Sequence, residues 1–217
     1  MPTAVQICNI ALQNIGANQI GALSDSTPEA EACNLRYDAV RRAVLESNLW
    51  TFAVSRASLN ELTATPLFGY QHQFALPSDY IRMAATEEQE QYLVYPSTFN
   101  GYITISNVAA YTQADDYKIE RVKIGSTYYN ALLCNNGSKK IVYIYDNDDE
   151  GTYQPLFTEM LAQALAASIC YRVTGNQSKA DKEAAKFQDM LENTSAKDSQ
   201  TGTSKVKLNS TLVGVRL

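Results

Sequence analysis

Apolar positions along the first third of the chain recur at helical steps. Between Thr3 and Ile15, Val5, Cys8, Leu12 and Ile15 fall three or four residues apart, which puts them on one face of a helix. Thr3 is suited to cap it and Gly16 to stop it. After a turn-rich link from Gly16 to Ser26, Thr27-Pro28-Glu29-Ala30-Glu31 combines a capping hydroxyl, a proline for the first helical position and acids for the positive end of the helix dipole. The long helix that should follow carries a stripe of Cys33, Tyr37, Val40 and Val44, with Arg36, Arg41, Arg42 and Glu46 largely on other faces. Asn48-Leu49-Trp50-Thr51-Phe52 ends it, and Trp50 reads as a core anchor between helical stripes.

From about Leu67 to Tyr153 the period changes. Tyr102-Ile103-Thr104-Ile105, Tyr117-Lys118-Ile119-Glu120-Arg121-Val122 and Ile141-Val142-Tyr143-Ile144-Tyr145 are rich in β-branched and aromatic residues, as strands are. Asn100-Gly101 and Asn136-Gly137 are hairpin-type turn signals, and Pro66, Pro77 and Pro96 punctuate the rest. Twelve of the fourteen tyrosines lie in this stretch, which favours strand faces that are part apolar and part wet, as at subunit contacts.

The helical pattern returns after Gln154-Pro155. Phe157, Leu161, Ala164, Ser168 and Tyr171 share one side, with Met160, Leu165 and Ile169 beside them. Thr174-Gly175-Asn176 closes that helix, and a fourth from Gln177 to about Asn193 carries a narrow stripe of Ala180, Ala184, Phe187 and Leu191. Ser195 to Leu217 starts polar and ends with strand-like alternation in Val206-Lys207-Leu208 and Val213-Gly214-Val215-Arg216-Leu217. The order predicts an α+β protein. Two N-terminal plus two C-terminal helices form a four-helix bundle (1–66 and 154–194), an antiparallel β domain is inserted at 67–153, and an extended tail follows at 195–217.

Charge and composition narrow the function. Eighteen basic residues against 23 acidic ones give −5, with a pI near 5.0, so a wide phosphate-gripping face is not expected. The start lacks a basic segment followed by an apolar stretch, and no run of about 18 apolar residues occurs, so neither a signal peptide nor a membrane span is expected. Cys8, Cys33, Cys134 and Cys170 stand singly, without zinc or redox spacing, and read as reduced, mostly buried thiols of a cytoplasmic protein.

Catalytic chemistry is poorly supplied. His72 is the only histidine, and Gly69-Tyr70-Gln71-His72-Gln73-Phe74 reads as a polar loop entering a strand, with His72 an ordinary surface side chain. Asp146-Asn147-Asp148-Asp149-Glu150-Gly151 starts like a calcium loop, but Phe157 stands where the bidentate glutamate is needed, so a solvated turn is expected. Glu87-Glu88-Gln89-Glu90 with Asp79, or Asp115-Asp116, could supply the two carboxylates of a glycosidase, a weak signal in polar loops. Arg41-Arg42 suits a helix face and Lys139-Lys140 a hairpin tip. Neither metal nor organic cofactor is called for.

Four stretches resemble a known family. They are Ile7-Cys8-Asn9-Ile10-Ala11-Leu12 with Ile15-Gly16; Tyr37-Asp38-Ala39-Val40-Arg41-Arg42 through Leu49-Trp50-Thr51-Phe52-Ala53; Leu76-Pro77-Ser78-Asp79-Tyr80-Ile81-Arg82; and Tyr145-Asp146 with Pro155-Leu156-Phe157 and Leu161-Ala162-Gln163-Ala164-Leu165-Ala166. Their order and spacing resemble the head-to-tail adaptors of short-tailed bacteriophages, the tail tubular protein A or gatekeeper family. The resemblance implies a non-enzymatic virion protein assembled in the host cytoplasm. It would form a dodecameric ring beneath the portal, with the helices facing the portal and the β domain facing the nozzle protein and the tail fibres.

Double-stranded DNA would pass through the lumen without tight binding, which the acidic balance suits. Arg36, Arg41, Arg42 and Trp50 are then the interface candidates. Val206, Leu208, Leu212, Val213 and Val215 would be a docking strand for the portal or the next protomer. The competing expectation is a virion-associated cell-wall or polysaccharide hydrolase.

Overall fold

A computed structural model describes residues 2–87, 98–99, 102–103, 117–137 and 139–198, and for 98–99, 102–103 and 193–198 the backbone alone. Helix α1 (Ala4–Asn14) opens with a reciprocal cap: the Thr3 hydroxyl accepts from the Gln6 amide, and the Gln6 side chain accepts from the Thr3 amide. Helix α2 (Pro28–Ser47) starts at Thr27, whose hydroxyl accepts from the Ala30 amide. The link between them is held by Asn9, which bonds both the amide and the carbonyl of Ile20.

Helix α3 (Pro155–Thr174) packs against all three other helices, α1, α2 and α4 (Gln177–Asp198). That position explains its sequence: Met160 to Ala166 are buried without a break, since partners cover several sides. Tyr171, expected on the buried side, is instead 59% exposed, because Ser168 and Tyr171 lie at the rim where Arg36 rather than an apolar side chain meets α3. Helix α4 runs on through Ser195–Asp198, where an extended tail was expected to begin. The docking candidates Val206, Leu208, Leu212, Val213 and Val215 lie outside the described residues, as does the Asn100-Gly101 turn.

Between α3 and α4, Gln163 donates from its buried amide to both the carbonyl and the carboxylate of Glu183 (3.0 and 2.8 Å), and Lys186 donates to the other carboxylate oxygen. Burial pushes the Glu183 carboxyl up, but these donors outweigh it and hold it below its ordinary value. A depressed carboxyl stabilises the fold above the unfolded value near about 4.3, and that contribution is lost as pH falls through the folded value. Glu183→Gln is therefore expected to lower stability at neutral pH by about 1–2 kcal/mol and to flatten the loss seen on acidification. Urea midpoints followed down the acid limb check both effects, and a variant whose acid limb stays as steep as the parent's contradicts the assignment.

The described β structure begins at Val54, ahead of residue 67. Strand β1 (Val54–Ser58) is polar in composition and becomes a strand by pairing with the apolar β9 (Lys140–Tyr145). The remaining strands are β2 (Asn60–Glu61), β3 (His72–Ala75), β4 (Tyr80–Thr86), β5 (Thr98–Phe99), β6 (Tyr102–Ile103), β7 (Tyr117–Ile124) and β8 (Thr127–Cys134). They form antiparallel sheets ordered β1-β9-β4 and β2-β3-β8-β7, with β5-β6 a separate pair.

Strands β8 and β9 thus belong to different sheets, and Asn136-Gly137 is not a hairpin turn but part of a crossover between sheets. The amide of Leu59 donates to the carbonyl of Lys139, which sets the β1–β2 crossover beside the β8–β9 one. Lys139 is accordingly buried rather than at a hairpin tip. The tight hairpin joins β7 to β8 at Gly125, whose φ of 61° suits glycine.

Strand β9 explains its unbroken apolar run by being covered on both faces. Ile141 and Tyr143 join Leu59, Phe74, Leu132 and Cys134 in a small core enclosed by the two sheets. Ile144 points the other way, into the larger helical core with Trp50 and Phe157.

Candidate functional site

Two of the expected interface residues are used inside the molecule. Trp50 is 0% exposed; its indole N–H donates to the Val44 carbonyl at 2.9 Å, and its ring meets Phe157 edge-on at 4.9 Å. Phe52 and Tyr153 complete the aromatic cluster. Trp50 is a core anchor, not an interface residue, because no face of it is left for a partner.

Arg41 is also corrected from interface to interior. It is buried, and its Nη1 donates to Asp146 (2.7 Å) and to the Asn147 carbonyl (2.6 Å), tying α2 to the loop between β9 and α3. Burial alone would lower its pKa, but the Asp146 carboxylate outweighs that and leaves the guanidinium held more firmly charged than usual.

The acidic loop is a strut rather than a solvated turn. Asp146 pairs with both Arg41 and Arg42. Asn147 is buried, donates to Thr152 and accepts from the Asp149 amide, while the Tyr153 hydroxyl donates to its carbonyl. Tyr37 donates to Glu150, and burial, reinforced by that carboxylate, keeps the Tyr37 hydroxyl protonated well above its ordinary range. Among the described residues no group of His, Cys, Asp and Glu is arranged to hold a metal ion.

Arg36 and Arg42 remain at the surface. Arg36 donates from Nε to the Ser168 hydroxyl at 2.7 Å, and one turn away Arg172 stands 3.6 Å from Glu31. These two pairs run in opposite senses along the helices, so α2 and α3 lie antiparallel. Near them Leu35 (69% exposed) and Tyr171 present apolar surface. Leu35 with Arg36 on α2, and Tyr171 with Arg172 on α3, are exposed side chains of kinds that protein-binding surfaces use, Tyr and Arg being enriched there.

The sequence reading missed Leu35, Tyr171 and Arg172. The available signal was that Leu35 falls off the Cys33–Tyr37–Val40–Val44 stripe, leaving a large apolar side chain outward.

No family model matches the chain, and no curated protein does.

The other chemical candidates are tied up locally. His72 sits 2.6 Å from Glu61 at the start of β3. Asp79 accepts from the Tyr143 hydroxyl, and Glu87 pairs with Lys140 at 2.8 Å. Glu88-Gln89-Glu90 and Asp115-Asp116 lie outside the described residues. All four cysteines are free and buried, and the Cys8 thiol is pushed up by its hydrogen bond to Cys33 and by burial. Among the described residues no helix is long and apolar enough to cross a membrane.

Proposed function

We propose that this chain is a structural connector of a short-tailed phage virion. It forms a dodecameric ring beneath the portal, joins the portal to the tail nozzle and carries fibres at its side. In this reading the helices act together as the bundle that meets the portal, the β region turns toward nozzle and fibres, and residues 199–217 dock on the portal or the next protomer. The role is geometric and requires no catalysis. DNA passes along a wall whose net negative charge repels its phosphates.

The observation that carries the reading is that three of the separated stretches resembling the adaptor family supply one core. Ile7, Cys8, Ala11 and Leu12 from the first, Tyr37, Val40, Trp50 and Ala53 from the second, and Phe157, Leu161, Ala164 and Leu165 from the last pack into the same helical cluster. Residues scattered over the whole chain that build one unit are what a shared fold, rather than a local coincidence, requires.

The outer face of α2 and α3, with Leu35, Arg36, Tyr171 and Arg172, is the portal-facing surface in this account. Leu35→Glu with Tyr171→Glu alters only exposed positions, so the variant is expected to unfold within about 0.5 kcal/mol of the parent. It is expected to lose binding to the portal ring in a pull-down or sedimentation assay. Portal binding that survives the double change removes this face from the mechanism.

A further inference from the structure

Leu67 and Phe68 are 97% and 86% exposed, the most exposed large apolar side chains among the described residues, and they are neighbours in the loop between β2 and β3. One exposed leucine is ordinary; two bulky neighbours held almost wholly in water mark a contact surface. The loop is built to keep them there. At its neck the Leu62 amide donates to the Gln73 carbonyl at 2.8 Å, the buried Gln73 side chain donates to the Ala64 carbonyl, and the Gln71 amide donates to the Asn135 side chain at 3.2 Å. His72 closes the neck 2.6 Å from Glu61. Pro66 stiffens the backbone before the pair, and Gly69, at φ 86°, makes the return bend that a side chain would resist. From Leu62 to Gln71 no residue is charged, in a chain where 19% are. An anchored, uncharged tip has little freedom left to lose on docking.

A recess of matching chemistry lies on the other sheet. A cavity of about 250 Å³ opens across β1 and β9, lined by the buried Ile141 and Val142 and the half-buried Ala57, with the exposed Arg56, Ser58 and the Lys140–Glu87 pair (2.8 Å) around them. Its volume falls below the roughly 300–1,000 Å³ of small-molecule sites and suits protein side chains instead. Lys140 and Glu87 answer each other, and Arg56 is engaged within the molecule, so the mouth favours no charged guest. A compact apolar guest without charge fits it, and the Leu67–Phe68 tip has that chemistry.

We infer that the Leu67–Phe68 tip docks in the β1–β9 cavity of the next copy of this chain. The inference rests on the ring reading and deepens it by naming a contact between protomers. The tip stands in water, so its own cavity does not hold it and a second chain is needed to join the two. Tip and cavity are unlike surfaces on different sheets, as a head-to-tail ring requires. Two side chains bury far less than the about 1,200–2,000 Å² of a stable interface, so the tip is an anchor within a larger contact.

The test uses the full chain, alone at rising concentration and with its portal ring, read by mass photometry and sedimentation. Leu67→Ser with Phe68→Ser changes two exposed positions, so it is expected to keep the parent's urea midpoint while raising the concentration for half-association at least about tenfold. Ser58→Trp, at the exposed mouth of the cavity, is expected to weaken association likewise by blocking entry. A chain carrying both Phe68→Cys and Ser58→Cys is expected to give a ladder of linked chains with a short bis-maleimide, since its own four cysteines are buried. If the parent associates, the serine variant matches it and no ladder forms, this contact is overturned while the ring reading stands. A parent that stays single under both conditions overturns the ring reading and the contact with it. If association is unchanged and the serine variant instead loses binding to phosphatidylcholine–phosphatidylglycerol vesicles, the tip serves a lipid surface and the proposal fails.

Discussion

Replacing Trp50 by alanine is expected to remove about 3–5 kcal/mol of folding stability, a large share of the about 5–15 kcal/mol that a domain of this kind possesses. The side chain is fully buried at the junction of α2, α3 and the β1-β9-β4 sheet, and its removal leaves Phe157 and Phe52 facing a void. It also leaves the Val44 carbonyl without the indole donor. Trp50→Phe, which keeps ring burial and loses the hydrogen bond, is expected to cost about 1–2 kcal/mol. Urea denaturation of the two variants beside the parent measures the difference. A loss under about 1 kcal/mol for the alanine variant would return Trp50 to the list of surface candidates.

Asp146→Ala is expected to cost about 3–5 kcal/mol, because it strands a charge that cannot reach water. The Arg41 side chain is almost wholly buried and would keep the Asn147 carbonyl as its close acceptor, with the exposed Asp38 carboxylate no nearer than 3.7 Å. Removing the other partner is less harmful. In Arg41→Met the Asp146 carboxylate still has Arg42 at 2.8 Å and partial access to solvent, and a methionine of similar length fills the space, so a loss of about 1–2 kcal/mol follows. Denaturant midpoints for the two single variants and the double variant form a cycle whose coupling term isolates the pair. The reverse order of severity, with Arg41→Met the worse, would contradict the burial argument.

The helices were legible because their signals are local. Thr3 and Thr27 cap where hydroxyl, proline and acid spacing indicate, and the stripe of α2 is buried; in α1 Cys8, Leu12 and Ile15 are buried as well, while Val5 is half-buried and Ile7 and Ala11 join the core beside the stripe. Arg41 was misread although its position carries the information. It lies four residues after Tyr37 and three before Val44, squarely on the buried stripe, and only the assumption that arginine faces water set it outside.

The β region was legible in composition and not in connection. Ile141–Ile144 announces a strand, but which sheet it enters depends on pairing with the polar β1, far away in sequence. Asn136-Gly137 has the residues of a hairpin turn, yet turn chemistry does not say whether the chain reverses within a sheet or steps to another one. The outward positions of Leu35 and Tyr171 were hidden for a related reason, since periodicity gives a helix its faces without naming the neighbours that cover them.

The account turns on repetition of this chain around an axis. Its most direct test is the mass of the particle that the purified full-length protein forms with its portal ring, with negative-stain images of the same sample. The account predicts a closed ring of uniform subunit number, twelve by the family resemblance, stacked on the portal with an open lumen. Single chains that stay apart at every concentration and leave the portal bare would contradict it.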